Sequence, residues 1–183
     1  DSFKSLIKFA LYKKPKKFIF ASSSSVYGDA KKYPVKESDN LNPKNLYAKT
    51  KKFNEDYAKK KFKDTNIKVI GLRLFTIYGE WGRPDMLILK FLKLANHNKQ
   101  FELNLGGNMY RDFTYIKSAI KMTKHLIKLK TKKKYQIFNI CSSKPVKVND
   151  IVESLKKFTN FKKIKNISMN KHEVYKTYGS NQK

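Results

Sequence analysis

Three stretches of this chain are nearly continuous in aliphatic, aromatic and β-branched residues: Phe18–Ala21, Ile67–Leu74 and Tyr135–Ile140. A strand without polar alternation has no face to give to water, so it belongs in a sheet buried on both sides. Helical patterns alternate with these runs. The first carries Phe3, Leu6, Ile7, Ala10 and Leu11 on one face, straight after Asp1. A second runs from about Asn45 to Lys63, with Ala48, Phe53, Tyr57, Ala58 and Phe62. Others cover 85–96 (Met86, Leu89, Leu92, Ala95), 117–130 and 149–159. Short strands are expected at 101–105, 113–116 and Ile164–Met169, with loops at 29–44, at Phe75–Pro84 and from Asn170 onward. Strand–helix alternation of this kind predicts an α/β fold with a parallel sheet covered by helices on both faces. Ligands of such sheets bind beyond the carboxyl ends of the strands. Two segments lie there: the serine run Ser22–Ser25, and the Phe75–Pro84 loop.

The 183 residues carry a net charge of +28, which invites a nucleic-acid reading. Arginine, whose planar fork suits phosphate and guanine, occurs only at Arg73, Arg83 and Arg111. The rest of the basic charge is lysine spread over every segment, as on solvated faces, so no nucleic-acid partner is expected. No apolar run approaches the ~18–20 residues of a membrane span, so no membrane association is expected. The single cysteine, Cys141, excludes an internal disulfide framework and fits a reducing, cytoplasmic compartment. His97, His125 and His172 are scattered and compose no metal site.

A tyrosine four residues before a lysine on a helix places phenol and ammonium on one face. The cation favours the phenolate and makes the tyrosine a usable base. In so lysine-rich a chain the spacing alone carries little: Tyr12–Lys16, Tyr27–Lys31, Tyr47–Lys51 and Tyr57–Lys61 all show it. Only Tyr47 opens a helix that follows a serine-ended strand and precedes another buried strand. It stands in Pro43-x-x-x-Tyr47-Ala48-x-x-Lys51-x-x-x-Glu55, with Ser23 at the end of the neighbouring strand.

With these residues in place the chain resembles the extended short-chain dehydrogenases/reductases of the NAD-dependent sugar-nucleotide epimerase/dehydratase family. The matching blocks are Phe18-Ile-Phe-Ala-Ser-Ser-Ser-Ser-Val-Tyr-Gly28, Tyr47-Ala-Lys-Thr-Lys51, Arg73-Leu-Phe-Thr-Ile-Tyr-Gly79, Trp81-Gly-Arg-Pro-Asp-Met86, Gly107-Asn-Met-Tyr-Arg-Asp-Phe-Thr-Tyr-Ile116 and Phe138-Asn-Ile140. The resemblance implies a partial Rossmann-type doubly wound parallel sheet with a smaller α+β substrate lobe. It assigns 1–80 and 113–141 to the dinucleotide-binding domain and 81–112 with 142–183 to the substrate lobe. NAD is the implied cofactor and a nucleotide sugar the implied partner, with a homodimer by analogy through the opening helix and the Tyr47 helix.

The resemblance also implies roles. Tyr47 is the base that takes a sugar hydroxyl proton. Lys51 holds the nicotinamide ribose, so Tyr47 and Lys51 both touch the cofactor. Ser23 hydrogen-bonds the reacting oxygen. Arg111 grips the substrate diphosphate. Related dehydratases carry an Asp-Glu pair where this chain has Ser24 and Ser25, and related decarboxylases a Glu in the second position. Without that acid, elimination lacks its proton donor, and epimerisation is preferred. Thr76 replaces the asparagine of UDP-galactose-type epimerases, and the block to Met86 is most similar to UDP-glucuronate 4-epimerases. Ser24, Ser25 and Thr76, with Arg83, compose a set suited to a sugar carboxylate. The alternatives are another UDP-sugar 4-epimerase, a basic nucleic-acid-binding domain and a remnant without activity.

Arg73 is left to a packing or pairing role, and Trp81 to either substrate contact or loop filling. Asn45, Lys117 and Cys141 depart from the common family residues, and Asn45 bears on the loop that presents Tyr47. The family's Gly-x-x-Gly-x-x-Gly turn is not among the seven glycines. The chain is therefore expected to be an internal part of a longer polypeptide, with weak NAD binding and no turnover by these residues alone.

Overall fold

The computed structural model of the chain describes residues 2–168 and 173–182. Its order is α1 (Ser2–Lys13), β1 (Lys17–Ser23), α2 (Leu46–Lys61), β2 (Lys68–Leu74), β3 (Thr76–Tyr78), α3 (Leu87–Asn96), β4 (Phe101–Asn104), β5 (Tyr110–Tyr115), α4 (Ile116–Lys128), β6 (Tyr135–Ile140), β7 (Pro145–Lys147), α5 (Val148–Thr159) and β8 (Ile164–Ile167). Met169, Asn170 and His172, to which strand, loop and metal expectations applied, lie outside the described residues, as does Asp1.

The three apolar runs form one parallel sheet in the order β1-β2-β6. Ile7 and Ala10 of α1, Ala58 of α2 and Phe62 at its C-terminal cap close one face over Phe18, Phe20, Val69 and Ile137. Ala119 and Leu126 of α4 close the other over Ile70, Leu72, Phe138 and Ile140. Both faces are dry, which is why these strands read as continuous apolar runs. Gly71 leaves room for its neighbours' side chains: a Cβ there would stand 2.4 Å from Ile137 Cδ1 and 2.9 Å from Phe20 Cζ. Lys17 fixes β1 to the far end of α4. Its Nζ donates to the carbonyls of Leu126, Ile127 and Leu129 at 3.1, 2.5 and 2.9 Å, placing a cation on the negative end of the helix.

A second body of apolar side chains joins α3 and α5 to the parallel pair β4/β8, around Phe91, Phe101, Leu103, Val152 and Phe161. Between the two bodies runs a third small sheet. β3 lies parallel to β5, and β5 is antiparallel to β7.

Several expectations shift. The strand at 18–21 extends through Ser23, because Ser22 and Ser23 keep the ladder to Arg73 and Leu74. The expected loop Phe75–Pro84 contains β3, and Pro145–Lys147, just before the helix expected at 149–159, forms β7. Three-residue strands are too short to show a period, so only their pairing to β5 reveals them. Phe53 leaves the core face of α2, being 48% exposed and stacked on Tyr57 at 5.6 Å. The buried residues of α2 are the expected Ala48 and Ala58, joined by the carboxylate Glu55.

Candidate active site

β1 ends at Ser23, and the chain turns at once into a short 3-10 helix, Ser24–Tyr27. Ser23 caps that turn: its Oγ accepts from the Ser25 amide at 3.2 Å and lies 2.9 Å from the Ser25 hydroxyl. Gly28 ends it with φ +62, and a Cβ there would lie 1.9 Å from the Asn42 carbonyl oxygen, so only glycine fits the exit. Ser24 borders a narrow crevice with Tyr27, Tyr33, Phe75 and Tyr178.

Asn45 opens α2. Its side chain accepts from the Ala48 amide at 2.8 Å, and asparagine is among the best residues for that capping position. The departure at this position thus preserves the start of the helix. Tyr47 sits in the first turn, 52% exposed. Lys51 lies one turn on, with Nζ 5.7 Å from the Tyr47 ring centre and donating to the Ala21 carbonyl of β1 at 3.0 Å. Tyr57 and Lys61 repeat the ring contact at 5.7 Å, but Tyr57 packs on the core under the sheet. Tyr12 is 76% exposed, and Tyr27 is buried. Lys51 is the member of the four pairs that reaches the carboxyl end of β1, two residues before Ser23.

Thr76, the first residue of β3, separates two cavities. One, about 180 Å³, also has Arg83, Met86 and Phe113 in its wall. The other, about 290 Å³, has Lys90, Arg111 and Glu173. Arg83 is exposed and engaged by Asp85 through Nε and Nη2 at 3.0 and 2.5 Å. The fork expected to be open to a ligand is thus held by its own neighbour. That hydrogen-bonded contact raises the Arg83 pKa and lowers that of Asp85, and the Tyr47 phenol is within electrostatic reach of the same guanidinium. Arg111 is largely covered. It donates to the carbonyls of Tyr110 and Tyr175 at 2.9 and 3.2 Å and to Glu173 at 2.8 Å. Burial pulls its pKa down against the opposing charge of Glu173. Glu173 was not anticipated, since nothing in its local sequence marks it as a partner of β5. Trp81 is fully exposed, so it does not fill the loop.

Beneath the site lies a polar cluster in which Arg73 takes the pairing role left to it, with partners that sequence reasoning did not name. Glu55, Arg73, Tyr27, Ser22 and Asn139 are all buried and joined by hydrogen bonds. Burial opposes the Arg73 charge, yet Glu55 and Tyr27 outweigh it and hold the guanidinium above its ordinary pKa. The available signal was a charged or amide residue inside an apolar strand, as in Leu72-Arg73-Leu74 and Phe138-Asn139-Ile140. Such groups are buried only when paired.

Burial pushes the Tyr27 phenol up to about 12, against the lowering effect of Arg73, and the Cys141 thiol up to about 11. Both groups hold their protons more tightly folded than unfolded. Their contribution is therefore complete below pH ~9 and is lost as pH rises through 9–12. Urea unfolding at pH 8, 9.5 and 11 is expected to show falling stability, Tyr27 alone contributing roughly 3 kcal/mol across its window. A flat or rising profile would contradict this.

Among the described residues no group of three or more His, Cys, Asp or Glu side chains is placed to hold a metal, and no helix is long and apolar enough to cross a membrane.

The sequence blocks led one to expect a serine at the end of a parallel strand beside a Tyr-x-x-x-Lys helix; Ser23 ends β1, and Lys51 reaches the Ala21 carbonyl of that strand. Comparisons with known proteins place the chain in a family. The uncharacterized protein MJ1055 of Methanocaldococcus jannaschii is 44% identical over 164 residues, 88% of this chain and 50% of that protein. UDP-glucuronate 4-epimerase 4 of Arabidopsis thaliana is 37% identical over 166 residues, 81% of this chain and 38% of that one. The structure of UDP-glucuronic acid 4-epimerase from Bacillus cereus, in complex with UDP-glucuronic acid and NAD, superimposes with a TM-score of 0.88 at 29% identity. It covers 98% of this chain and 57% of that one. The chain thus spans about half the length, or less, of the curated relatives it matches. A family profile matches residues 3–141, and on that match and these relatives the chain belongs to the NAD dependent epimerase/dehydratase family.

Proposed function

We propose that these residues carry the catalytic groups of a 4-epimerase that interconverts UDP-glucuronate and UDP-galacturonate. The observation that carries the reading is the placement of Lys51 beside Tyr47 and on the Ala21 carbonyl, at the strand end that presents Ser23. Tyr47 takes the proton of the sugar 4-hydroxyl, and Ser23 holds that oxygen. Lys51 keeps donors beyond the one given to Ala21, and an ammonium here fits the ribose hydroxyls of a nicotinamide nucleotide. NAD, when bound, would supply a reversible hydride acceptor for the sugar carbon whose hydroxyl proton Tyr47 takes and gives back. The chain's glycines do not provide a pyrophosphate turn, so the residues present fit the nicotinamide end of that group.

Ser24 and Ser25 are hydroxyls, and a hydroxyl is a poor proton donor to a leaving group. This favours inversion over dehydration. Ser24, Ser25 and Thr76 provide small donors for the carboxylate of a glucuronate. Restraining that carboxylate keeps the C4 ketone, which is β to it, from losing CO₂. Arg83 joins this set by exchanging Asp85 for substrate, and Arg111 joins the diphosphate by exchanging Glu173. In this reading 1–80 and 113–141 form the cofactor side, and 81–112 with 142–183 the sugar-nucleotide side. Exposed Leu6, Phe9, Leu46 and Phe53 on α1 and α2 support pairing with a second copy.

The test is a substrate panel on the full-length gene product with NAD. UDP-glucuronate is expected to turn over at least about tenfold more efficiently than UDP-glucose, since an uncompensated carboxylate partner costs ~1.4 kcal/mol or more. Turnover of the neutral sugar alone would sink the carboxylate assignment.

A further inference from the structure

Ser22, Arg73 and Asn139 occupy one row across β1, β2 and β6. Glu55 reaches into that row from α2. It accepts from Ser22 Oγ at 2.5 Å and from Arg73 Nε and Nη2 at 3.0 and 2.8 Å. Arg73 Nη1 donates to the Tyr27 phenol at 2.8 Å, and Tyr27 donates to Asn139 Oδ1 at 2.7 Å. The proposed reaction uses none of these groups.

Stability alone does not account for such a cluster. A buried ion pair is often no better for stability than an apolar pair of the same volume. What a two-pronged guanidinium–carboxylate contact adds is direction. Besides the Glu37 carbonyl, which Arg73 Nη1 also meets at 3.2 Å, the groups joined through Arg73 and Glu55 belong to elements that carry a group assigned above. Ser22 precedes Ser23. Tyr27 closes the turn holding Ser24 and Ser25. Glu55 lies one helical turn beyond Lys51 and two beyond Tyr47, on the face of α2 that meets the sheet. The row also sits one residue short of the Ser23–Leu74–Ile140 row, at the edge where the site opens.

We propose that the Arg73–Glu55 pair is the positioning device of the active site. It fixes the rotation and axial setting of α2 against β1 and β2, and through them the placement of Tyr47 and Lys51 relative to Ser23. The inference rests on the catalytic reading above. Arg73 and Glu55 are positioning residues and touch no substrate. The Lys51 contact to the Ala21 carbonyl is the reporter of this setting.

The experiment compares the full-length protein with its E55L/R73M, E55Q and Y47F variants. The apolar pair is expected to keep the wild-type melting temperature to within about 5 °C. Its kcat falls about 10- to 100-fold with little change in KM, the size expected for a displacement of order 1 Å. Its cofactor-free crystal structure shows Lys51 withdrawn from the Ala21 carbonyl. A stable E55L/R73M protein with full kcat, or with the Lys51–Ala21 bond unchanged, overturns the proposal. Should that variant not fold, E55Q decides in the same way: a kcat loss at constant KM supports positioning, and wild-type kcat refutes it. Wild-type turnover by Y47F removes the catalytic reading instead, and the Lys51–Ala21 distance then decides positioning alone.

Discussion

Tyr47→Phe in the full-length protein is expected to lower kcat for UDP-glucuronate by about a thousandfold, within the 10²–10⁴ range of a lost general base. The phenol is half exposed at the start of α2, and the helix start is capped by Asn45, not by Tyr47. Removing one oxygen there leaves the fold intact, so circular dichroism and melting temperature stay at wild-type values while turnover disappears. Substrate affinity changes little, because the lost group works on a proton in the transition state. A variant retaining a tenth of wild-type kcat would show that another group takes the proton.

Glu55→Ala has the largest expected effect on stability. Arg73 is 3% exposed and would lose its two-pronged partner. An uncompensated buried charge of this kind costs about 3–5 kcal/mol, or about 6–20 °C in melting temperature for a domain of this size. The comparison on the same helix is Lys52–Asp56, an exposed pair at 2.7 Å. Breaking it changes stability by no more than about 0.5 kcal/mol. Thermal melts of Glu55→Ala and Asp56→Ala separate the two regimes. A Glu55→Ala loss below about 1 kcal/mol would mean that water or Glu37 replaces the missing carboxylate.

The sheet was legible because its strands are dry on both faces and carry that fact in their composition. Phe18, Ile70 and Phe138 identify their strands without help from neighbours. The Tyr47–Lys51 helix was legible because its chemistry is local, spanning four residues. What escaped is whatever depends on partners distant in sequence. β3 and β7 are three residues each and are defined by β5 between them. The Glu55–Arg73–Tyr27–Asn139 cluster joins residues up to 112 positions apart. A pairing role for Arg73 was legible from its place in an apolar strand, but its partners Glu55 and Tyr27 were not. Arg111 was marked by its motif, whereas Glu173, 62 positions away, became visible as its partner only in three dimensions; Asp85, two residues from Arg83, lay in the same motif but was not read as holding it.

The central claim is that Tyr47, Lys51 and Ser23 serve an oxidation at C4 that is reversed within one bound sugar. The most direct measurement incubates the full-length protein and NAD with UDP-glucuronate deuterated at C4, and reads the product by NMR. The account predicts UDP-galacturonate that still carries deuterium at C4. Deuterium lost to water, or a sugar not inverted at C4, would contradict it.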